Sequence, residues 1–282
     1  MLARLHRRAF LLAGTATTAS FARAVRAQGE QLTLSGAIAQ GGLVIGRAAR
    51  AANATLDDRK LPIGPGGSFV FGFRHDQKKE VTLTVRYTDG TSESRKLSPE
   101  QRQYDIQRID GLPQEQVTPS PKILARIKRE SETNAEHMRR VSDFAGYASG
   151  FDWPVPGIIS SVYGSQRILN GTPMSPHLGV DVAAPKGTPI RAPADARVSL
   201  VADEYLNGGF TILDHGHGLF TSYVHQINIR VREGDWLKKG QIMSEVGATG
   251  RATGPNLHWG MSWMGISLDA SLATLEPQPP KT

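Results

Sequence analysis

Two short stretches of the chain carry residue types that bind metal ions: His177-Leu178-Gly179-Val180-Asp181 and Asn256-Leu257-His258-Trp259. Zinc takes imidazole nitrogen and carboxylate oxygen, and its catalytic sites use three protein ligands with a fourth position left for water. His177, Asp181 and His258 would supply such a set. Geometry adds a condition. Four residues of extended strand cover roughly 13 Å, too far for both ends to meet on one ion, so the chain has to bend between His177 and Asp181, and Gly179 suits that bend. Asn256 and His258, two apart on a strand, face the same side, so Asn256 is expected in the cleft that His258 faces. An isolated H-x-x-x-D is a frequent chance pattern and is a weak signal alone. The chain has no cysteine, which excludes disulfides, Cys-ligated zinc or iron–sulfur sites and a thiol nucleophile. No H-E-x-x-H, G-x-S-x-G or phosphate-loop motif occurs, so those metalloprotease, serine-hydrolase and nucleotide routes have no support.

Elements must hold these residues in place. With 282 residues, 39% hydrophobic and 21% charged, the chain is long enough for one large domain or two modest ones with a real core. A mainly β fold is expected. From about Gln31 to Leu112, Val81, Leu83, Val85 and Tyr87 alternate with Thr82, Thr84 and Arg86, and Asp89-Gly90 marks a hairpin. Phe69-Val70-Phe71 follows the break at Gly64-Pro65-Gly66-Gly67. Residues 28–112 are read as a small β-sandwich-like module. Residues 113–149 are read as a linker and amphipathic helix, opened by Ser120 as N-cap with Pro121 at the first turn and running to about Ala145. Ile123, Leu124, Ile127, Met138 and Val141 recur there at near-helical spacing. Residues 150–276 are rich in Gly, Pro and β-branched types, with short strand candidates at 197–201, 210–213 and 220–224, and are expected to form an antiparallel β-sheet domain. Five of the eight histidines fall here; His215 and His217, in a glycine-flanked turn, are read as structural, as are His75 and His137 upstream. Residues 277–282 read as a disordered tail.

The net charge of +7 invites a nucleic-acid reading. Residues 1–27 hold five arginines and no acid, then an apolar stretch too short to span a bilayer and small residues before Ala27. That is the layout of an export signal, and Arg7-Arg8-Ala9-Phe10-Leu11-Leu12 resembles the twin-arginine type. Without those arginines 28 basic residues face 26 acidic ones, so nucleic acid is not expected as a partner. No other long apolar run exists, and no stable membrane span is expected.

From about Trp153 to Trp259 the chain resembles the LytM/lysostaphin-type zinc endopeptidases, metallopeptidase family 23, in its periplasmic Gram-negative form. The likeness runs through Val162-Tyr163-Gly164, Arg167, His177 to Pro189, Asp214-His215-Gly216-His217-Gly218, Ser222-Tyr223-Val224-His225 and Val246 to Trp259. It implies a metallopeptidase-like C-terminal domain that holds Zn2+ on His177, Asp181 and His258, with His225 polarising the attacking water or stabilising the oxyanion. It also implies a periplasmic location, peptidoglycan cross-links or stems as substrate, and room for a regulatory envelope protein as partner. One departure stands out. The family's last motif reads H-x-H, and its first histidine is here Asn256. Asn can donate to an oxyanion but cannot exchange a proton near pH 7. The resemblance therefore leaves two readings: a peptidoglycan zinc endopeptidase relying on His225, or a zinc-binding, catalytically impaired relative that binds the wall or regulates another hydrolase.

Overall fold

Alternation of apolar and polar residues shapes the first part of the chain. The structure, a computed structural model, describes residues 32–111, 118–276 and 278–279; the export-signal reading of residues 1–27, and the tail reading apart from Gln278 and Pro279, fall outside them. Strands β1 (Thr33–Gly36), β2 (Leu43–Arg47), β3 (Ala51–Leu56), β4 (Arg59–Leu61), β5 (Ser68–Gly72), β6 (Val81–Tyr87) and β7 (Ser92–Leu97) form two antiparallel sheets, β1-β2-β5 and β4-β3-β6-β7. Val81, Leu83 and Val85 turn inward while Thr82 and Thr84 are half-buried. They join Phe69, Phe71, Ala54 and Leu56 in one buried cluster, as a sandwich-like packing of two one-sided sheets requires. Gly90 closes the β6–β7 hairpin at φ +83°, a conformation a Cβ disfavours.

Strand β8 (Ile106–Ile109) then leaves this module. Helix α1 (Pro121–His137) opens as expected, with the Ser120 hydroxyl accepting from the Ile123 N–H at 3.5 Å. It ends at His137, well before Ala145. His137 is buried with Nδ1 3.0 Å from Ser199 Oγ, and the Ser142 carbonyl accepts from the His217 N–H at 3.0 Å while its hydroxyl bonds Asp214. These tertiary bonds pin the chain to another turn, so Val141 lies exposed instead of continuing the helical stripe.

The remaining strands are β9 (Ile158–Ser161), β10 (Gln166–Leu169), β11 (Thr172–Pro173), β12 (Val180–Ala183), β13 (Pro189–Arg191), β14 (Ala196–Glu204), β15 (Gly208–Asp214), β16 (Leu219–Ile227), β17 (Trp236–Leu237), β18 (Ile242–Val246), β19 (Asn256–Trp263) and β20 (Ile266–Leu268). Ten of them build an antiparallel sheet along the path β17-β14-β15-β16-β19-β12-β9, with β13, β18 and β20 attached beside it. β8 runs parallel to β10, pairing Gln107 with Arg167. The buried cluster runs from Leu32 and Phe69 through to Trp259, Trp263 and Leu268. At the seam, a Cβ on Gly72 would lie 2.6 Å from Leu268 Cδ2, so glycine permits the contact. Asp269, 2% exposed, pairs there with Arg102 at 2.8 Å, as a buried carboxylate needs.

Candidate metal centre

Strand register brings the first two ligands together. On β12 and β19 Asp181 stands directly opposite His258, and Ala183 opposite Asn256. Val180, Val182, Leu257 and Trp259 enter the core, which leaves Asp181, Asn256 and His258 on the other face of the pleat. His177 precedes β12 and is fixed by two backbone bonds: its N–H donates to Ser165 at 2.8 Å, and its carbonyl accepts from Gly164 at 2.7 Å. The three donor atoms converge. His258 Nδ1 lies 2.8 Å from Asp181 Oδ1 and 2.9 Å from His177 Nε2, and His177 Nε2 lies 3.1 Å from Asp181 Oδ1.

This donor set fits zinc. Tetrahedral bonds of about 2.0–2.1 Å place ligand atoms roughly 3.3 Å apart, a few tenths wider than these contacts, and two imidazole nitrogens with one carboxylate oxygen leave the fourth position for water. Gly179 lies at the expected bend, just before β12, and without a positive φ. It serves the site in a second way, because a Cβ there would lie 2.4 Å from His258 Cε1 and 2.6 Å from its Nε2. Its missing side chain is the space that the imidazole occupies.

Neighbours orient each ligand. His177 Nδ1 lies 3.2 Å from the Val162 carbonyl, which can only accept, and 3.0 Å from Ser161 Oγ. The proton therefore sits on Nδ1, and Nε2 presents its lone pair. Arg167 Nη2 donates to Asp181 Oδ2 at 2.7 Å, leaving Oδ1 toward the imidazoles. Gln107 Oε1 accepts from Ser161 Oγ at 3.0 Å and from Arg167 Nε at 3.4 Å, so one amide of β8 touches the neighbours of two ligands. Burial pushes the His177 pKa down, with the Asp181 carboxylate opposing it. For Asp181 burial favours the neutral acid, yet the neighbouring His177 and His258 imidazoles outweigh it and hold the carboxyl far below its usual range.

His225 reaches the cleft through a break in the pleat. Between the pairs Gly209–Gln226 and Thr211–Tyr223, β16 has two residues against one on β15, which is a bulge. His225 sits in it at φ +66°. Strict alternation would send it to the face opposite Val224, whose Cα partner is His258; the bulge re-aims it so that it lines the cleft. Its Nδ1 donates to the Thr249 carbonyl at 2.7 Å, which leaves Nε2 unprotonated. Burial lowers its pKa, the Thr249 bond raises it, and the charge of His258 lowers it further. Asn256 lines the same cleft of about 270 Å³, and its Oδ1 is buried without a hydrogen-bond partner.

The other histidines stay out of the cleft lining. His215 is fully buried between the Asp195 carbonyl and Thr221 Oγ1, and His217 contacts the Tyr147 hydroxyl at 3.0 Å. Sequence reasoning did not single out Gln107, Ser161 or Arg251 as cleft residues. Ser161 and Arg251 adjoin or lie in the motif stretches, which is a usable signal. Gln107 carries none, because only the pairing of two distant strands places it.

Residues 175–270 match the profile of Peptidase family M23. The peptidoglycan DD-endopeptidase ShyA of Vibrio cholerae is 33% identical over 118 residues, 42% of this chain and 27% of that protein. The DD-carboxypeptidase/endopeptidase Mpg of Neisseria meningitidis is 39% identical over 83 residues, 29% of this chain and 19% of that one. The chain thus spans about a quarter or less of the length of these relatives. A crystal structure of a peptidase M23 from Pseudomonas aeruginosa, assigned to that family, aligns with TM-score 0.62 and 28% identity over 83% of this chain and 93% of that chain. That alignment reaches well beyond the profile match, so the upstream strands share the architecture too. The profile match falls on the segment that carries His177, Asp181, Asn256 and His258, so residues 175–270 are a Peptidase family M23 domain.

Proposed function

We propose that this protein is an exported, periplasmic zinc endopeptidase that hydrolyses peptide bonds in peptidoglycan cross-links or stems. The observation that carries the proposal is the convergence of His177 Nε2, Asp181 Oδ1 and His258 Nδ1, mutually within 4.8 Å, beside a His225 whose unprotonated Nε2 lines the same cleft. The endopeptidase names of ShyA and Mpg support the substrate class. The basic, apolar, small-residue layout of residues 1–27 supports export through a twin-arginine signal. Among the described residues no helix is long and apolar enough to cross a membrane.

Bound zinc would acidify a water and polarise the scissile carbonyl. The chain's own residues do the rest. Arg167 holds Asp181 Oδ2 and so aims the carboxylate, and the Val162 carbonyl keeps the His177 proton on Nδ1. His225 Nε2 accepts the proton of the attacking water and returns it to the leaving amine, because its lowered pKa leaves it neutral at pH 7. The Asn256 carboxamide can present its N–H to the developing oxyanion, as an amide donor does elsewhere, but it cannot share the proton transfer.

That limit favours a second reading, in which the protein binds zinc and peptidoglycan but cleaves poorly and regulates another envelope hydrolase. Digestion of purified sacculi by wild-type protein and by His225→Ala separates the two. Released peptide fragments with wild type, lost in the variant, support the enzyme. No fragments from either, with zinc present, support the regulator.

A further inference from the structure

Gln107 lies far upstream of the candidate ligands in sequence, yet its carboxamide reaches two side chains that orient them. Parallel pairing of β8 with β10 sets it level with Arg167. That register is held on both sides: the Asp105 carbonyl accepts from the Gln166 N–H at 2.8 Å, and the Ile109 carbonyl from the Asn170 N–H at 2.9 Å. Gln107 Oε1 then accepts from two donors at once, the Ser161 hydroxyl at 3.0 Å and Arg167 Nε at 3.4 Å. Ser161 is buried, and a hydroxyl has one proton to give. Once it goes to Gln107, only lone pairs of the Ser161 oxygen face His177 Nδ1, 3.0 Å away, and Nδ1 has to carry the imidazole proton. The competing tautomer is within reach. A proton on Nε2 would find Asp181 Oδ1 at 3.1 Å, and a free Ser161 hydroxyl could then donate into Nδ1. That form offers no Nε2 lone pair to a metal. Arg167 is held at Nε while its Nη2 donates to Asp181 Oδ2 at 2.7 Å, so the same oxygen also fixes the guanidinium that aims the carboxylate.

We propose that Gln107 is a positioning residue of the metal centre: its Oε1 orders the Ser161 proton and the Arg167 guanidinium, and through them His177 and Asp181. This deepens the zinc-site reading and rests on it. A carboxamide oxygen suits the task because it can only accept, so both donors must point at it. Metal affinity is then set in part from β8, outside residues 175–270, the segment that the family profile matches.

Metal affinity and proton position test this apart from cleavage. Full-length wild type and Gln107→Leu are compared by chelator competition for zinc and, metal-free near neutral pH, by the NMR shifts of the His177 ring nitrogens. Gln107→Leu keeps the bulk and loses the acceptor. It is expected to lower zinc affinity about tenfold, the small end of the range for groups that support metal ligands, and to move His177 from the Nδ1–H toward the Nε2–H form. Adding Ser161→Ala to Gln107→Leu should return the proton to Nδ1, because the Val162 carbonyl at 3.2 Å remains and can only accept. A merely structural loss at β8 would not be repaired by deleting a second side chain. Gln107→Glu keeps an accepting oxygen and should retain wild-type affinity. Ile109→Ala, on the same strand and the same wall of the cleft, should leave both readouts unchanged. A wild-type His177 protonated on Nε2, unchanged zinc affinity in Gln107→Leu, or an equal loss in Ile109→Ala overturns the proposal. The thermal transition reports whether Gln107→Leu folds, and Gln107→Asn, whose oxygen falls short of both donors, carries the test if it does not. The expected affinities and proton positions without any cleavage of sacculi leave the role of Gln107 standing and count against the peptidase reading alone. A wild type that binds no zinc overturns the proposal together with the zinc-site reading.

Discussion

His215 and His217 lie in the turn between β15 and β16, while His177 is buried against His258, which lines the cleft, and burial pushes the pKa of His215, His217 and His177 downward alike. The surroundings differ. Around His215 every partner belongs to the core: the Asp195 carbonyl, the Thr221 hydroxyl and the edge of Phe151 at 5.0 Å between ring centres. Around His177 a second imidazole and a carboxylate oxygen aim at one point that borders a cleft. Burial and a perturbed pKa are thus shared by a structural and a candidate chemical histidine. Convergence of lone pairs on a common open point separates them.

Substitutions can break that contrast. The largest effect is expected for Asp181→Ala: zinc, close to one per chain in wild type, should vanish on elemental analysis, and cleavage with it. Stoichiometric zinc in that variant would remove Asp181 from the ligand set. His225→Ala should keep its zinc and lose roughly 10²–10⁴-fold in cleavage rate; loss of zinc instead would make His225 a ligand. Arg167→Ala, which frees Asp181 Oδ2, should weaken zinc affinity by about 10–100-fold, measured by competition with a chelator.

For His215 the expected readout is stability. Its pKa is pushed down to about 4 by burial, against about 6.5 unfolded. Between those values the unfolded chain binds more protons, so unfolding free energy rises with pH and is lost as pH falls below 6.5. The loss is of the order of 3 kcal/mol by pH 4. His215→Asn keeps a donor for the Asp195 carbonyl and should flatten that slope in denaturant titrations, with zinc affinity unchanged. A slope identical to wild type would show that other groups dominate acid unfolding. The smallest effect is expected for Asn256→His, a several-fold gain in sacculus digestion as a second imidazole joins the proton transfer; no gain would show that His225 suffices.

Much of this site was legible in the residues because a strand has a fixed period. Asn256 and His258 share a face by spacing alone, and the antiparallel register of β12 and β19 sets Asp181 opposite His258. Period fails at His225, where a bulge reverses the side, so only resemblance picked it out. The bend between His177 and Asp181 was required by distance, but the use of Gly179 as empty space for the His258 ring depends on a contact across 79 residues of sequence, which local reasoning does not reach. The end of α1 was misplaced for a similar reason. Apolar spacing continued to Val141, and bonds from Ser142 to Asp214 and His217 overrode it.

The parallel pairing of β8 with β10 has a consequence for how this enzyme-like cleft is inherited. Gln107 and Ile109 line it, as do Ser161 and Arg167, and all four lie outside residues 175–270, the segment that the family profile matches. A piece cut at the limits of that match would carry the three candidate ligands without one wall of their cleft. The upstream strands are then part of the instrument rather than a neighbour to it: drift there could reshape the cleft while every candidate ligand stays as it is.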